Sequence, residues 1–141
     1  MSFSLVYVKF MLLLYTHGMK YSKTRQFGNI GEEIASKILI SNGYLVIERN
    51  FLRRVGEIDI IARYKKAIVF VEVKTRLSND KSVLPEVNID RNKLVRLQKI
   101  ALFYLRDKKL TESDYHFDAV SVLISHDNEV VDIRHLESIF L

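Results

Sequence analysis

Residues 56–76 read GEIDIIARYKKAIVFVEVKTR and contain two apolar runs joined by a short polar turn. Runs of this length that are rich in isoleucine and valine, and are bounded by glycine or by polar pairs, are typical of β-strands. We therefore predict strands at residues 57–63 and 68–75, paired as a hairpin. The second run is so rich in β-branched residues that we expect it at the centre of the sheet.

Charged side chains interrupt both predicted strands. Side chains alternate across a strand, so Glu72 and Lys74 share one face of the second strand. Asp59 lies among isoleucines on the first strand, with Glu57 on its face. Burying such charges is costly unless they are paired or bind a ligand. If the hairpin forms, Asp59 and Glu72 are candidates for a shared acidic cluster that suits Mg²⁺, and Lys74 can orient a water nucleophile or neutralise charge on a phosphorane.

The helix predicted at residues 30–41 supplies a third acid. Its isoleucines recur every fourth residue, and Asn29 is a plausible N-cap. At 100° per residue Glu32 projects toward the inward flank of the helix, whereas Glu33 faces Lys37 one turn later, as in a surface ion pair. Glu32 is therefore the candidate to join the acidic cluster. A cross-strand salt bridge remains the simpler explanation for a glutamate and a lysine two residues apart on a strand.

The remaining patterns complete the order α-β-β-β-α-β-β. Alternation, turn residues and a cap at Asp90 define these segments. They are a strand at 44–49, a mobile loop at 77–89, a helix from Asp90 to about residue 108, and strands at 117–124 and 130–133.

Composition narrows the chemistry. The chain has 141 residues, enough for one domain, a formal net charge of +5 and no cysteine. Lack of cysteine excludes disulfides, cysteine-ligated zinc, iron–sulfur clusters and thiol nucleophiles, and it fits a reducing compartment, so we expect a cytoplasmic protein. The four histidines show no ligand spacing, and no Gly-rich phosphate loop is present. Carboxylates and lysine are left to carry any chemistry.

The N-terminal segment has a different composition from the rest. Residues 3–15 hold eleven apolar residues in thirteen, but the run is too short for a membrane helix and Lys9 interrupts it. It also lacks the flanks of a signal peptide. We expect no stable membrane insertion, a working start at Met19, residues 1–18 as a dispensable extension, and one domain over 19–141. The alternative is a genuine apolar arm for dimerisation or weak membrane contact.

Basic residues are expected around the acidic cluster. Lys93, Arg96 and Lys99 lie on the polar side of the second helix, and Arg76 and Lys81 flank the loop. Such a rim can bind a phosphate backbone in a salt-dependent way that is largely independent of sequence. The alternative is an ordinary solvated helix face.

Several motifs together carry a family resemblance. The motifs are Gly31-Glu32, Gly56-Glu57-Ile58-Asp59, Val71-Glu72-Val73-Lys74-Thr75-Arg76, Lys93 and Arg96 ahead of Tyr104-Leu105, and Phe117-Asp118. With these motifs the chain resembles, over about residues 24–125, the bacterial YraN-like family of predicted endonucleases, which is similar to archaeal Holliday-junction resolvases and is identified as a member of the PD-(D/E)xK nuclease superfamily. Ile58 stands where the superfamily has a proline.

The resemblance implies a fold and a site. The fold would be a restriction-endonuclease-like α/β core, with a mixed central sheet flanked by helices. Asp59 and Glu72 would bind Mg²⁺ or Mn²⁺ with the Val73 carbonyl, Glu32 would bind or orient metal or water, and Lys74 would position the nucleophile. A homodimer is plausible by the same resemblance.

Two hypotheses about function follow. The first is a Mg²⁺-dependent phosphodiesterase that cuts DNA, branched or single-stranded. The second is a nucleic-acid-binding or assembly factor that keeps the nuclease fold without useful turnover. Asp118, in a predicted strand, either supports Lys74 or is a buried, hydrogen-bonded acid, and we favour the structural role.

Overall fold

The computed structural model describes the backbone of residues 23–79 and 89–139, and side chains from residue 28 onward. The proposed extension at 1–18, the start at Met19, Lys81 and most of the predicted loop lie outside the described residues. The element order α-β-β-β-α-β-β is confirmed. The elements are α1 (Lys23–Ser41), β1 (Leu45–Arg53), β2 (Gly56–Tyr64), β3 (Ala67–Leu77), α2 (Arg91–Asp107), β4 (Tyr115–Ile124) and β5 (Val130–Leu136).

The five strands form one mixed sheet in the order β1-β2-β3-β4-β5. The first three strands form an antiparallel meander, β4 runs parallel to β3, and β5 is antiparallel to β4. A parallel neighbour requires a crossover connection, and α2 lies within that connection. The central position predicted for β3 is confirmed, because it pairs with a strand on each side.

Each face of the sheet carries its own apolar core. Val69 and Val71 of β3 pack in the core that includes α1, whereas Ile68 and Phe70 pack in the core that includes α2. All four side chains are buried. This alternation is the one expected from the sequence, and it explains why residues 67–71 of β3 are apolar without a break, since both faces of this part of the strand are covered.

The helix ends differ partly from the prediction. Asp90 is the N-cap of α2, as predicted, because its Oδ1 accepts the Lys93 backbone N–H at 2.7 Å. The N-cap predicted at Asn29 is wrong, since α1 begins six residues earlier at Lys23. No proline precedes Asn29 in that stretch, so nothing in the backbone ends the helix there. In the described part of the chain, no helix is both long and apolar enough to span a membrane.

A close backbone approach fixes α1 on the sheet. A Cβ atom built at Gly31 would lie 1.8 Å from Thr75 Oγ1 of β3, a distance that no side chain could adopt without a shift. Glycine is therefore required where the helix crosses this strand. The crossing positions the next residue, Glu32, near the end of the β2–β3 pairing.

Candidate active site

The candidate site forms where β2 and β3 separate. Their pairing runs from Tyr64 opposite Ala67 to Ile60 opposite Val71, and the next positions in this register are Asp59 and Glu72. Instead of a continued backbone ladder, Asp59 Oδ2 accepts the Val73 backbone N–H at 2.7 Å. A carboxylate thus replaces a backbone acceptor at the point where the strands part.

The strand is distorted at Asp59. Ile58 and Ile60 are two residues apart and would share a face in a regular strand, yet they pack in opposite cores. Asn50 of the neighbouring β1 has a φ of 53°, and the pairing of β1 with β2 skips Asn50 and Asp59. Simple alternation along β2 could not have predicted this change of face.

Asp59 lies in an unfavourable environment for a charged carboxylate. Burial, followed by repulsion from Glu72, raises the pKa of Asp59 from 3.8 to about 7, although the hydrogen bond from Val73 opposes the shift. Glu32 and Glu57 raise this pKa further. The acids predicted to cluster are therefore close enough for their negative charges to repel one another, and a bound proton or cation would reduce this repulsion.

Glu32 points inward, as predicted. Its side chain is 12% exposed, and burial raises its pKa against the opposing effects of Asn50 and Arg49. Arg49 Nη2 lies 3.7 Å from Glu32 Oε2, too far for a hydrogen bond, and this buried oxygen has no hydrogen-bond partner among the described residues. One carboxylate oxygen is thus left for a ligand.

The neighbouring Glu33 forms ion pairs at the surface. Lys37 Nζ lies 3.7 Å from Glu33 Oε1, which confirms the predicted pair one turn along α1. Arg49 Nη1 donates to Glu33 Oε2 at 2.7 Å. No sequence pattern indicated a role for Arg49, because its contacts join β1 to α1 across a turn.

Glu72 forms an ion pair with a lysine from the crossover connection. Its partner is Lys93 of α2, a residue predicted for the phosphate-binding rim, and not Lys74 two residues along its own strand. Lys74 is exposed and has no hydrogen bond or ion pair in the described ranges. A salt bridge at Glu72 therefore forms, but it joins the strand to a helix and not to a neighbouring strand.

The donor set fits a two-carboxylate magnesium site. Across residues 28–79 and 89–139, no three carboxylate or imidazole groups are arranged so that they could hold one metal ion. Mg²⁺ does not need such a cage, since it commonly binds one or two carboxylates and keeps several waters. Asp59 and Glu72 provide two hard oxygen donors, and the unpaired oxygen of Glu32 provides a third group close by.

The basic residues predicted to form one rim differ in their exposure and in the surface they line. Arg76, Arg96 and Lys99 are exposed, and Lys93 is half-buried against Glu72. Lys93 and Arg96 open onto a common cleft, of about 280 Å³, between the β1–β2 turn and α2. Its lining residues are Gly56, Glu57, Lys93, Arg96, Leu97 and Ile100.

Asp118 belongs to a separate, structural cluster. Its side chain is fully buried, and its contacts do not include Lys74, so the structural role that we favoured is confirmed. Burial tends to raise the pKa of Asp118, but the hydrogen bonds from His135 and Ser138 outweigh it and lower the pKa. The groups around Asp118 are Tyr44 Oη (3.1 Å), His135 Nε2 (2.7 Å), the Ser138 backbone N–H (2.9 Å) and His116 Nε2 (3.3 Å).

Comparison with known proteins supports the family level of the resemblance seen in the motifs. The model of the uncharacterised protein family UPF0102 matches residues 31–122, the range that holds all the candidate acids. A UPF0102 protein of Clostridium tetani is 38% identical over 119 residues, which is 84% of this chain and 97% of the relative. One from Syntrophus aciditrophicus is 47% identical over 95 residues, 67% of this chain and 74% of the relative. The chain therefore belongs to the UPF0102 family, the YraN-like family that its motifs indicated.

Proposed function

We propose that this protein is a divalent-metal-dependent endonuclease of the PD-(D/E)xK type that hydrolyses phosphodiester bonds in DNA, branched or single-stranded. The observation that carries the proposal is the pair Asp59 and Glu72. The two acids stand at the point where β2 and β3 part, and burial and mutual repulsion raise the pKa of Asp59 to about 7. Perturbed carboxylates of this kind are concentrated at functional sites.

Placing the Asp59 carboxylate among other acids destabilises the fold unless the site binds a ligand. Asp59 has a single backbone donor, and in the described structure none of the basic side chains pairs with it, although Glu72, Glu32 and Glu57 all repel its charge. A protein selected for stability alone would place apolar residues here, between Ile58 and Ile60. A divalent cation would turn the repulsion among these acids into attraction.

The residues have distinct roles in the proposed reaction. Asp59 and Glu72 would hold the cation together with the Val73 carbonyl. When bound, Mg²⁺ supplies charge neutralisation on the scissile phosphate and a lowered pKa for the attacking water. Lys74, exposed and unpaired in the described part of the chain, orients that water or neutralises charge on the phosphorane. Glu32, whose Oε2 has no hydrogen bond among the described residues, would accept a hydrogen bond from the attacking water.

A basic cleft next to the acids suits a phosphate backbone. Arg96 and Lys93 open onto it, and neither side chain reads bases when it binds phosphate alone. Binding should therefore weaken steeply with salt and depend little on sequence. Arg76 and Lys99, both exposed, would extend the contact beyond the cleft.

The test is a cleavage assay with Mg²⁺ or Mn²⁺ on branched, flap and single-stranded DNA. We expect Glu72→Gln and Lys74→Met each to reduce the cleavage rate about 10²-fold or more, because each removes a group that acts on the reacting atoms. Glu112→Gln and Lys66→Met make the same charge changes at exposed positions away from the site and should cleave like the wild type. Metal-dependent cleavage that is unchanged in Glu72→Gln and Lys74→Met would remove this site assignment.

Two observations favour a second candidate function. Glu72 already forms an ion pair with Lys93, and the described residues offer no ready three-ligand metal site. A nucleic-acid-binding or assembly factor that retains the nuclease fold could have this arrangement. Absence of cleavage under every metal and substrate condition, together with salt-dependent DNA binding that Arg96→Gln weakens, would favour this second function.

A further inference from the structure

The ion pair between Lys93 and Glu72 links the proposed metal site to the proposed phosphate cleft. Lys93 Nζ contacts Glu72 Oε1, and the two side chains are 32% and 15% exposed. The same Lys93 side chain lines the cleft beside Arg96 and Gly56. One ammonium group therefore lies between a carboxylate on β3 and a surface suited to phosphate.

The position of Lys93 on its helix is not explained by helix stability. Asp90 is the N-cap of α2, so Lys93 lies in the first turn, where the helix dipole disfavours a positive charge. The Asp90 side chain fixes the backbone N–H of Lys93, but the four-carbon side chain beyond it remains free to rotate. Glu72 compensates for this unfavourable placement only while the ion pair is formed.

Lys74 makes the choice of partner more informative. It shares the face of Glu72 and has no ion-pair partner within the described ranges, yet Glu72 pairs with the lysine from α2. Lys74 thus stays available for water or phosphate, and Lys93 supplies the positive charge that Glu72 needs in this state. The two lysines have separate tasks.

We propose that Lys93 competes with the divalent cation for Glu72 and binds the phosphate of the nucleic-acid strand once the cation has taken its place. This inference rests on the proposed function, because it needs a cation at Glu72. Lys93 is then a positioning residue: it sets the affinity for the cation and makes strand binding depend on cation binding. Arg96, which has no ion pair in the described structure, holds the phosphate in either state.

Isothermal titration calorimetry with Mg²⁺ and Mn²⁺ tests the competition without an activity readout. We expect Lys93→Gln to bind the cation roughly three- to tenfold more tightly than the wild type, since the competing ammonium is removed. Lys93→Arg keeps the charge and should stay close to the wild type. Lys66→Gln removes the same charge in the β2–β3 turn, about 20 Å from Glu72 along β3, and should change the affinity little.

Fluorescence anisotropy with a labelled single-stranded oligonucleotide tests the second half of the proposal. The titrations are run on ice, with the oligonucleotide length checked on a gel afterwards. Without a cation, Lys93→Gln should bind DNA like the wild type, because Lys93 is held by Glu72. With Mg²⁺, we expect the variant to bind about threefold or more weakly, since one phosphate contact is missing. Thermal unfolding of each variant confirms that it is folded.

The outcomes separate this inference from the proposed function. Equal or weaker cation binding by Lys93→Gln, with normal binding by the wild type, would overturn the competition and leave the metal-dependent function standing. A loss of DNA affinity in Lys93→Gln that is the same with and without cation would overturn the proposal that Lys93 binds phosphate only after the cation has replaced it at Glu72. If none of the four proteins binds a cation, the proposed metal requirement fails, and the competition fails with it.

Discussion

Asp59 and Asp118 lie on the two strands that flank β3, and both carboxylates are withdrawn from water, but their surroundings are opposite. Asp118 receives hydrogen bonds from His135 and other donors, which lower its pKa despite its burial. Asp59 has one backbone donor and faces Glu72, and its pKa is raised to about 7. Burial is common to both acids, so the partners decide the sign of the shift.

The difference separates a structural acid from a functional one. A buried carboxylate with donors on both oxygens stabilises the fold, since its charged form is better bound in the folded chain than in water. A carboxylate held among other carboxylates destabilises the fold and persists only where something else depends on it. This contrast gives matched experiments in which one substitution, aspartate to asparagine, should act in opposite directions at the two sites.

The largest effect is expected at Asp118. Asp118→Asn replaces one acceptor oxygen with a donor, so either Tyr44 and His135 at Oδ2 or the Ser138 N–H at Oδ1 lose their acceptor at a buried position. We expect a loss of about 2 to 3 kcal/mol in the free energy of unfolding. Urea unfolding followed by circular dichroism measures it, and Asp127→Asn, exposed in the β4–β5 turn, should change stability little. A change below about 0.5 kcal/mol for Asp118→Asn would remove the structural role.

Local sequence patterns were enough to predict the hairpin and the helix that position the acidic site. The runs around Asp59 and Glu72 gave the hairpin, since alternation and turn residues are properties of neighbouring residues. The helical angle of Glu32 relative to its isoleucines gave its inward direction, and the structure confirms it with a side chain only 12% exposed. The pairing of the two strands and the inward face of one helix were enough to predict that Asp59, Glu72 and Glu32 lie near one another.

Contacts between distant elements could not be predicted in this way. The pairing of Glu72 with Lys93 joins residues 21 apart, and it depends on how α2 packs on the sheet. The contact of Gly31 with Thr75 depends on the crossing of α1 over β3. The cluster at Asp118 unites side chains from β4, β5 and the residue before β1, so the sequence showed only an acid in a strand. In each case the missing information is the packing between elements.

A smaller effect of the opposite sign is expected at Asp59. Asp59→Asn removes the repulsion from Glu72 and keeps an oxygen that can accept the Val73 N–H. At neutral pH and without divalent metal we expect a gain of roughly 1 to 2 kcal/mol in the free energy of unfolding, together with loss of cleavage. Chemical unfolding with and without Mg²⁺ checks this, because Mg²⁺ should stabilise the wild type but not the variant. Destabilisation as at Asp118 would mean that Asp59 is a structural acid too.

The smallest expected effect is the pH dependence of stability, in which the two acids should again act in opposite directions. Between the folded pKa of Asp59, about 7, and its unfolded value of about 3.9, the folded chain holds a proton that the unfolded chain lacks. The contribution of Asp59 to the free energy of unfolding therefore rises as the pH falls through this window. The contribution of Asp118, whose pKa is lowered, is fully present above about pH 3.9 and is lost only below it.

Subtracting the urea-unfolding profile of Asp59→Asn from that of the wild type isolates the contribution of Asp59, because the other ionisable groups are common to both proteins. We expect this difference to change by about 1 kcal/mol or less between about pH 8 and pH 6, in favour of the wild type at the lower pH. A flat difference would show that burial and the repulsion from Glu72 do not raise the pKa of Asp59 in solution, and the contrast between the two acids would then reduce to their hydrogen bonds.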